Sequence, residues 1–309
     1  MKKVFIDGSA GTTGLRIHER LSGRADLELM LLPDDLRKSE DARRDALNSC
    51  DIAFLCLPDD AAREAVALTT NPHTVIIDTS TAHRTAAGWA YGFPEIGGRR
   101  AEIAASTRIA NPGCHASGFV SLVAPLVEQG LLTKDAQLSC FSLTGYTGGG
   151  KKMIAEYEAE GRDPLLSAPR MYGLTQAHKH LPEMGVICGL EKTPAFCPIV
   201  GDFPCGMEVT IPLTRDMLRG SADDVKALYK AYYAAGLVRY VDVAEAAEGG
   251  FMSASAMAGR DDLQVTVAGN DDRILLVARF DNLGKGASGA AIQNMNIVLG
   301  VDETTGLCV

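Results

Sequence analysis

The first 78 residues alternate short apolar segments with segments of helical periodicity, and this alternation limits the possible folds more than any other feature. The predicted strands have nearly continuous apolar sequence and span Val4–Ile6, Leu27–Leu32, Ile52–Leu57 and Thr74–Ile77. Such strands are typical of a parallel sheet whose two faces are both covered by helices. The N-terminal part is therefore predicted to be a doubly wound α/β domain.

The segments between these strands carry helix signals. Gly14, Ile17 and Leu21 fall on one face of the first predicted helix. Ser39 is predicted to cap the second helix, and Asp59–Leu68 is predicted to be the third.

The chain after residue 115 follows another pattern, which predicts an α+β domain with a mixed sheet. Longer strands with partial alternation are separated by helices, one of them opened by a capping box at Ser221 and Asp224. The strands are expected at Gln137–Leu143, Met207–Leu213, Leu263–Val267 and Ile274–Phe280, and the helices at Ala116–Glu128 and Asp223–Ala235. A last helix, Ser288–Leu299, is expected to return to the first domain. The predicted domains are therefore 1–114 with 286–309, and 115–285.

Composition excludes some classes of function. A formal net charge of −9 argues against nucleic acid as a partner, because binding phosphates requires concentrated Lys and Arg. No apolar stretch has the length of a signal peptide or a membrane span, so we expect a cytoplasmic protein without a membrane partner. The eight cysteines show no C-x-x-C spacing, and Cys188, Cys197 and Cys205 match no familiar zinc pattern. No metal site is predicted.

A glycine-rich turn joins the first strand to the first helix. Glycines allow a tight turn with close backbone approach, and the following helix start offers free N–H groups to a pyrophosphate. The motif G-x-x-G-x-x-G is not the commoner G-x-G-x-x-G, and a purely structural turn would also use glycine. We expect dinucleotide contacts from Gly8, Ser9, Gly11, Thr12, Thr13 and Gly14.

The residues after the second strand leave the type of dinucleotide open. Asp34 and Asp35 lie where an acid would hold a ribose 2′-hydroxyl, which favours NAD. Arg37 and Lys38 could instead pair with the 2′-phosphate of NADP. A solvated charged loop is a third interpretation.

Cys114 follows a predicted strand, Arg108–Ala110, and a Pro112-Gly113 turn, and it precedes a predicted helix. At a helix start the dipole and the free amides favour the reactive thiolate, so Cys114 is the candidate nucleophile. No other cysteine of the chain has such a setting. The alternative is a small side chain packed under the helix start.

His178 and His180 belong to the segment His178-Lys179-His180-Leu181-Pro182-Glu183. Pro182 disfavours a helix at the preceding residue, so the segment is predicted to be extended, with both imidazoles on one side. Beside a thiol they could act as a general base and a substrate ligand. They could also be metal ligands or part of a polar loop.

Two further segments are candidates for anion binding. Thr144–Lys152 is a glycine-rich loop that follows a strand and ends in two cations at a predicted helix start. Ser80 and Arg84 follow the fourth strand, at the carboxyl end of the sheet where ligands bind in such folds. A flexible hairpin and a surface arginine are the structural alternatives.

These motifs together resemble a known family. Besides the segments above, the chain contains Asp78-x-Ser80 with Arg84, Tyr91-Gly92-Phe93-Pro94-Glu95, Asn111-Pro112-Gly113-Cys114, Gly286-Ala287-Ser288-Gly289 and Gln293-Asn294-Met295-Asn296. In this order they resemble the shorter N-acetyl-gamma-glutamyl-phosphate reductases, which are related to the aspartate-semialdehyde dehydrogenases. Thr147 stands where Ser is usual, Lys151 where Arg is usual, and His115 where Tyr is common.

The resemblance implies an NADPH-dependent reduction of an acyl phosphate by a homodimer or homotetramer, whose second domain would also serve oligomerisation. It implies Cys114 as the nucleophile and His180 as the acid–base group, and a Gly286–Asn294 segment that closes over the nicotinamide. The implied substrate contacts come from Ser80, Arg84, Asn111, Thr147, Lys151, His178 and Glu183, with Arg84 on the carboxylate and Lys151 on the phosphate. The alternatives are an aspartate-semialdehyde dehydrogenase, a cofactor-free cysteine hydrolase using Cys114 and His180, and a nucleotide-sensing protein without turnover.

Overall fold

The computed structural model describes all 309 residues, and the chain divides into two compact units. The first comprises residues 1–94, 98–112 and 287–308, and the second comprises residues 95–97, 113–286 and 309. The sequence-based boundaries placed Cys114 and Gly286 in the first domain, whereas the structure places both in the second unit. The reason is that Cys114 is already the first residue of a helix of the second unit, and that Gly286 packs against it.

The first unit is a six-stranded sheet with helices on both faces. All strand pairs are parallel, and the strand order is β2-β1-β3-β4-β6-β5. The elements are β1 (Lys2–Asp7), α1 (Thr12–Leu21), β2 (Leu27–Met30), α2 (Glu40–Ser49), β3 (Ile52–Leu55), α3 (Asp59–Leu68), β4 (Val75–Asp78), β5 (Ala90–Tyr91), α4 (Arg99–Ala105), β6 (Arg108–Ala110) and α10 (Gly289–Leu299). The predicted α/β class and all four predicted strands are confirmed.

The core of the first unit lies on both sides of its sheet. Every residue of β3 is buried, as its continuous apolar sequence requires. One face packs against α1 and α10, which contribute Ile17 and Ile292 to the cluster. The other face packs against α2 and α3, which contribute Leu47 and Ala62. The Ser39 hydroxyl accepts the Ala42 N–H, so the predicted cap of α2 is confirmed.

The second unit is built on a seven-stranded mixed sheet with the order β11-β12-β13-β10-β7-β9-β8. Its elements are α5 (Cys114–Glu128), β7 (Ser139–Gly145), α6 (Gly150–Glu158), β8 (Arg170–Met171), α7 (Leu181–Cys188), β9 (Ala195–Gly201), β10 (Met207–Thr214), α8 (Ala222–Tyr232), β11 (Val238–Tyr240), α9 (Val243–Ala246), β12 (Leu263–Asn270) and β13 (Arg273–Phe280). The predicted capping box of α8 is present. None of the helices in either unit is long and apolar enough to cross a bilayer.

One face of this sheet packs against α5, in which every residue from His115 to Leu126 is buried. Gly118 allows the close approach, because a Cβ at this position would lie 2.4 Å from a side-chain carbon of Val209 in β10. The helix that begins at Cys114 is therefore held rigidly against the centre of the second unit.

Candidate active site

Cys114 is the first residue of α5, as predicted. The preceding Gly113 is the N-cap, with an extended backbone and no capping side chain of its own. Instead the Gly113 N–H donates to Oε1 of Glu183 at 2.8 Å, and this carboxylate is almost completely buried. Glu183 therefore braces the turn that presents the half-buried Cys114 thiol.

The histidine segment differs from the predicted extended conformation. Lys179 and His180 form a turn. Pro182 lies in the first turn of α7, whereas an extended, non-helical segment was predicted there. A proline is tolerated there because its missing N–H would have no partner within the helix. The two imidazoles are adjacent nevertheless, since the ring centroids of His178 and His180 are 4.9 Å apart. The backbone N–H of His180 donates to Nδ1 of His178 at 3.3 Å.

His115 lies at the centre of this cluster, which sequence reasoning did not foresee. Its Nδ1 is hydrogen-bonded to Oγ of Ser142 at 2.6 Å and its Nε2 to the hydroxyl of Tyr172 at 2.7 Å. Burial, together with the neighbouring His178 and Lys179, lowers the pKa of His115 to about 3. A neutral imidazole has one donor and one acceptor, so one hydroxyl donates to the ring and the other accepts from it.

Cys114, His115 and His180 come within reach of each other. One ligand atom from each, the sulfur or a ring nitrogen, lies within 4.8 Å of the other two. Burial, followed by the charge of Lys179, lowers the pKa of His178, which favours a neutral ring there as well. A thiol at a helix start beside an imidazole is the arrangement that nucleophilic catalysis by cysteine requires.

Tyr172 and Ser142 are site residues that the sequence analysis missed. The Tyr172 hydroxyl is bonded to His115, and burial, followed by the charge of Cys114, raises the pKa of Tyr172. Tyr172 lies 58 positions along the chain from Cys114 in a segment without a recognisable motif, so no local signal could have identified it.

The glycine-rich loop turns directly into α6. Gly150 has φ +73°, a backbone conformation that favours glycine, and Lys151 is the exposed second residue of the helix. The Thr147 hydroxyl donates to the carbonyl of Pro204 at 2.6 Å and accepts from the Asn282 amide at 2.9 Å. The hydroxyl hydrogen of Thr147 is thus engaged in a bond that stabilises the loop. The side chain of Lys151 is exposed to solvent.

The Gly284–Ser288 turn packs directly on the nucleophile. A Cβ at Gly286 would lie 3.0 Å from Cβ of Cys114. The neighbouring Lys285 is completely buried, and its Nζ donates to both carboxylate oxygens of Glu95 at 2.8 Å. The pair anchors the turn against Cys114, and sequence reasoning did not identify it.

In the first unit the predicted dinucleotide turn has the expected form. Gly8 has φ +84°, and a Cβ there would lie 2.3 Å from the Cys56 carbonyl oxygen, so only glycine fits. Gly11 is the N-cap of α1, and no side chain caps this helix start. The remaining residues of the motif that were predicted to touch a cofactor are Ser9, Thr12, Thr13 and Gly14, and all lie in this turn or in the first turn of α1.

Arg43 supports this turn, although sequence reasoning did not select it. Its guanidinium is buried and donates to Oδ2 of Asp7 at 3.0 Å, and Asp7 directly precedes Gly8. Burial raises the pKa of Asp7, and the charge of Arg43 opposes that shift. The pair holds the end of β1 from which the turn departs.

The charged loop after β2 is exposed. Arg37 lies 2.6 Å from Oδ1 of Asp34, with 42% of the Arg37 side chain and 86% of the Asp34 side chain accessible. At that exposure the pair is worth little, so Arg37 can exchange Asp34 for another anion at low cost. Lys38 is also exposed.

The remaining predicted contacts of the first unit form a buried polar network. Ser80 donates to Asp78, and Arg84 donates to the carbonyl oxygens of Asn111 and Thr79 at 3.0 and 3.1 Å. The side-chain amide of Asn111 donates to the Ala287 carbonyl. These bonds fix the side chains in place.

Asn294 leaves an acceptor in the same network. Its amide nitrogen donates to Gly92 and Asn111, whereas its buried Oδ1 has no hydrogen-bond partner. A buried acceptor of this kind costs free energy unless a ligand donor meets it. The uncapped start of α1 and this acceptor fit the pyrophosphate and the carboxamide of a nicotinamide dinucleotide.

The chain is similar to known proteins over most of its length. Two family models match the chain: "Semialdehyde dehydrogenase, NAD binding domain" at residues 33–105 and "Semialdehyde dehydrogenase, dimerisation domain" at residues 114–282. An "N-acetyl-gamma-glutamyl-phosphate reductase 2" of Pseudomonas putida is 45% identical over 98% of both chains. An "N-acetyl-gamma-glutamyl-phosphate reductase" of Brucella ovis is 47% identical over 96% of this chain and 99% of its own.

Solved structures share the fold at low sequence identity. Aspartate semialdehyde dehydrogenase II of Vibrio cholerae has a TM-score of 0.72 at 15% identity and covers 97% of this chain and 98% of its own. The Candida albicans aspartate semialdehyde dehydrogenase, solved with NADP, has a TM-score of 0.63 at 16% identity, with 97% and 98% coverage.

Proposed function

This chain belongs to the semialdehyde dehydrogenase family, among relatives named N-acetyl-gamma-glutamyl-phosphate reductase, and from that premise we propose that it reduces N-acetyl-gamma-glutamyl phosphate to the semialdehyde. The observation that carries the proposal is the position of Cys114 at the start of α5, with His180 within 4.8 Å. The reaction would be a step of arginine biosynthesis. The eight free thiols suit the reducing cytoplasm, where we expect the enzyme to act.

The first half of the reaction uses the Cys114 thiolate. It attacks the acyl carbonyl carbon, and the carbon–oxygen bond to phosphate breaks. Phosphate departs, and the acyl group remains bound to the sulfur as a thioester. Backbone amides at the start of α5 are suited to stabilise the oxyanion that forms in between. Lys151, exposed at the start of α6, is the residue to which we assign the phosphate.

The second half converts the thioester to the aldehyde and restores the thiolate. NADPH, when bound, supplies the hydride. His180 donates a proton to the oxygen of the tetrahedral adduct on Cys114. It takes the proton back as the carbon–sulfur bond breaks and the aldehyde is released. Glu183 keeps Cys114 in place by bonding the Gly113 N–H, and His178 accepts the backbone N–H of His180.

We propose NADP as the cofactor. The exposed Arg37 and Lys38 are the cations available for a 2′-phosphate, and only a screened surface pair with Asp34 competes for Arg37. Asn294 would accept the carboxamide hydrogen through its buried Oδ1. The expected contact of Gly286 with the nicotinamide stays a prediction.

The substrate contacts are proposals as well. We assign the substrate carboxylate to Arg84, because a guanidinium can bind a carboxylate through two parallel hydrogen bonds. Ser80 and Asn111 then act by fixing the buried polar network around Arg84. Thr147 acts by shaping the loop, because its hydrogen is already donated to Pro204.

We also propose a homodimer formed through the open face of the seven-stranded sheet. This face bears apolar side chains that remain between 41% and 49% exposed, namely those of Phe141, Met171 and Leu275. Strand register places them on the side opposite α5, since Phe141 is paired with Thr210 and Leu275 with Pro212, whereas Val209 packs on the helix.

A Phe141→Glu variant should shift the protein toward monomer in light scattering. An unchanged mass would refute this interface.

The decisive experiment is a phosphate-dependent assay of NADP reduction with N-acetylglutamate semialdehyde. The proposed function requires turnover that depends on both phosphate and the semialdehyde. A cysteine hydrolase would instead release acid without cofactor, and a nucleotide sensor would bind NADPH without turnover. Fluorescence titration with NADPH separates these two, because only the sensor should bind it.

A further inference from the structure

The cluster around Cys114 contains imidazoles that do no acid–base chemistry in the proposed reaction, and one of them is that of His115. The reaction employs the Cys114 sulfur and the His180 ring, whereas His115 takes part in no step. Yet one ligand atom of His115 lies within 4.8 Å of the ligand atoms of both other residues. Both histidines are buried, and the cysteine is half-buried.

We propose that Cys114, His115 and His180 form a binding site for Zn²⁺ or a similar borderline cation, and that an ion bound there reversibly blocks the nucleophile. A thiolate and two imidazoles are ligands that Zn²⁺ and Co²⁺ prefer, whereas Mg²⁺ and Ca²⁺ prefer oxygen. Three protein ligands leave a fourth position for water. Binding of the metal is independent of the proposed function, but the inhibition rests on it.

The distances require a modest closure of the site. Neighbouring ligand atoms around a tetrahedral zinc ion are roughly 3.3–3.8 Å apart, so the three donors must close by about 1 Å. Side-chain rotation can supply this movement without a backbone shift, because the ligands project from the start of α5 and from the turn before α7.

The hydrogen bonds of His115 indicate how its ring would bind the ion. Tyr172 is only partly buried, so its hydroxyl can exchange the bond to Nε2 for a bond to water. Ser142 is completely buried and would keep its bond to Nδ1. Histidines that bind metals usually donate their second ring N–H to such a partner, which fixes the orientation of the ring. We therefore assign Nε2 as the ligand atom.

The test is a titration of the cofactor-free protein with Co²⁺, followed by the near-ultraviolet charge-transfer absorption of a cobalt–thiolate bond. We expect saturation at one equivalent and displacement by Zn²⁺. Cys114→Ser should abolish the band. His115→Gln should weaken Co²⁺ binding by more than the roughly 10–100-fold that loss of an outer-shell partner costs. The half-buried Cys205→Ser is the matched control and should titrate like the parent protein.

The inhibition is measured separately. Zn²⁺ should inhibit turnover reversibly, a chelator should restore it, and saturating acyl phosphate should protect. Circular dichroism checks that each variant is folded. If His115→Gln does not fold, His180→Gln serves as the second ligand variant in the Co²⁺ titration.

The proposal fails if no thiolate band develops, if the band survives in Cys114→Ser, or if the folded histidine variant binds Co²⁺ as tightly as the parent protein. A protein that binds one Co²⁺ through Cys114 but does not turn over the semialdehyde would refute the proposed function and leave the metal site standing.

Discussion

Replacing Lys285 by Met should destabilise the second unit strongly. The Lys285 ammonium and the Glu95 carboxylate are 0% and 1% exposed, and Nζ lies 2.8 Å from both oxygens. The carboxylate also accepts the Leu237 N–H at 3.1 Å. Removal of the cation leaves a buried anion without its counter-charge, which costs about 3–5 kcal/mol. At about 2–4 °C per kcal/mol for chains of this size, Tm should fall by roughly 6–20 °C.

The control variants separate the charge effect from packing. The double variant Lys285→Met/Glu95→Gln removes both charges and should recover most of the lost stability, because a buried pair contributes little net free energy over a neutral replacement. Arg63→Met breaks an ion pair with Asp60 whose side chains are 54% and 105% exposed, and it should change the free energy of unfolding by less than about 1 kcal/mol.

The assay is urea and thermal unfolding followed by circular dichroism near pH 7.5, with parent, single and double variants measured together. A single variant that loses less than 1 kcal/mol would show that water or another group solvates Glu95 when Lys285 is absent. A double variant as unstable as the single one would show that packing, not charge, is what Lys285 provides. Either result would refute the reasoning.

Four further predictions concern the chemistry. Cys114→Ser should abolish turnover while folding and NADPH binding persist, since a serine hydroxyl is hardly ionised at neutral pH, and a variant with a tenth of the parent activity would exclude the thioester. Limited iodoacetamide near pH 7 followed by mass spectrometry should label Cys114 but spare Cys50 and Cys56, whose pKa burial raises to about 12; equal labelling would contradict the assigned nucleophile. Alanine at both Arg37 and Lys38 should weaken NADPH binding by roughly 1–3 kcal/mol more than NADH binding, and titration fluorescence showing equal losses would exclude 2′-phosphate recognition. The ratio of kcat/KM should strongly favour N-acetylglutamate semialdehyde over aspartate semialdehyde, because an ammonium buried without a partner costs several kcal/mol; equal use would overturn the substrate assignment but not the cysteine chemistry.

Much of the fold follows from local sequence. The apolar strands of the first unit, the Ser39 cap and the Ser221–Asp224 box appear in the structure where their patterns predicted them. The same holds for Cys114 at the start of α5. These features depend on hydrophobic periodicity and on hydrogen bonds within about four residues, so a short stretch of sequence contains all the information they require.

The histidine segment shows where local rules conflict. The preference of the residue before Pro182 for an extended backbone predicted no helix, yet a proline in the first helical turn costs no hydrogen bond. Two local principles gave opposite answers. In the structure Pro182 lies in the first turn of α7, so the tolerance of proline at a helix start prevailed.

The sequence by itself therefore determined the fold class, the strands of the first unit and the residue types of the site. Tertiary structure alone decided which of these residues meet: His115 with Ser142 and Tyr172, and Lys285 with Glu95, 190 positions away. It also decided that the Thr147 hydroxyl donates its hydrogen bond to the Pro204 carbonyl. The physical reason is that the partner of a buried polar group is selected by the closure of the whole chain around it, and no periodicity in the sequence records that choice.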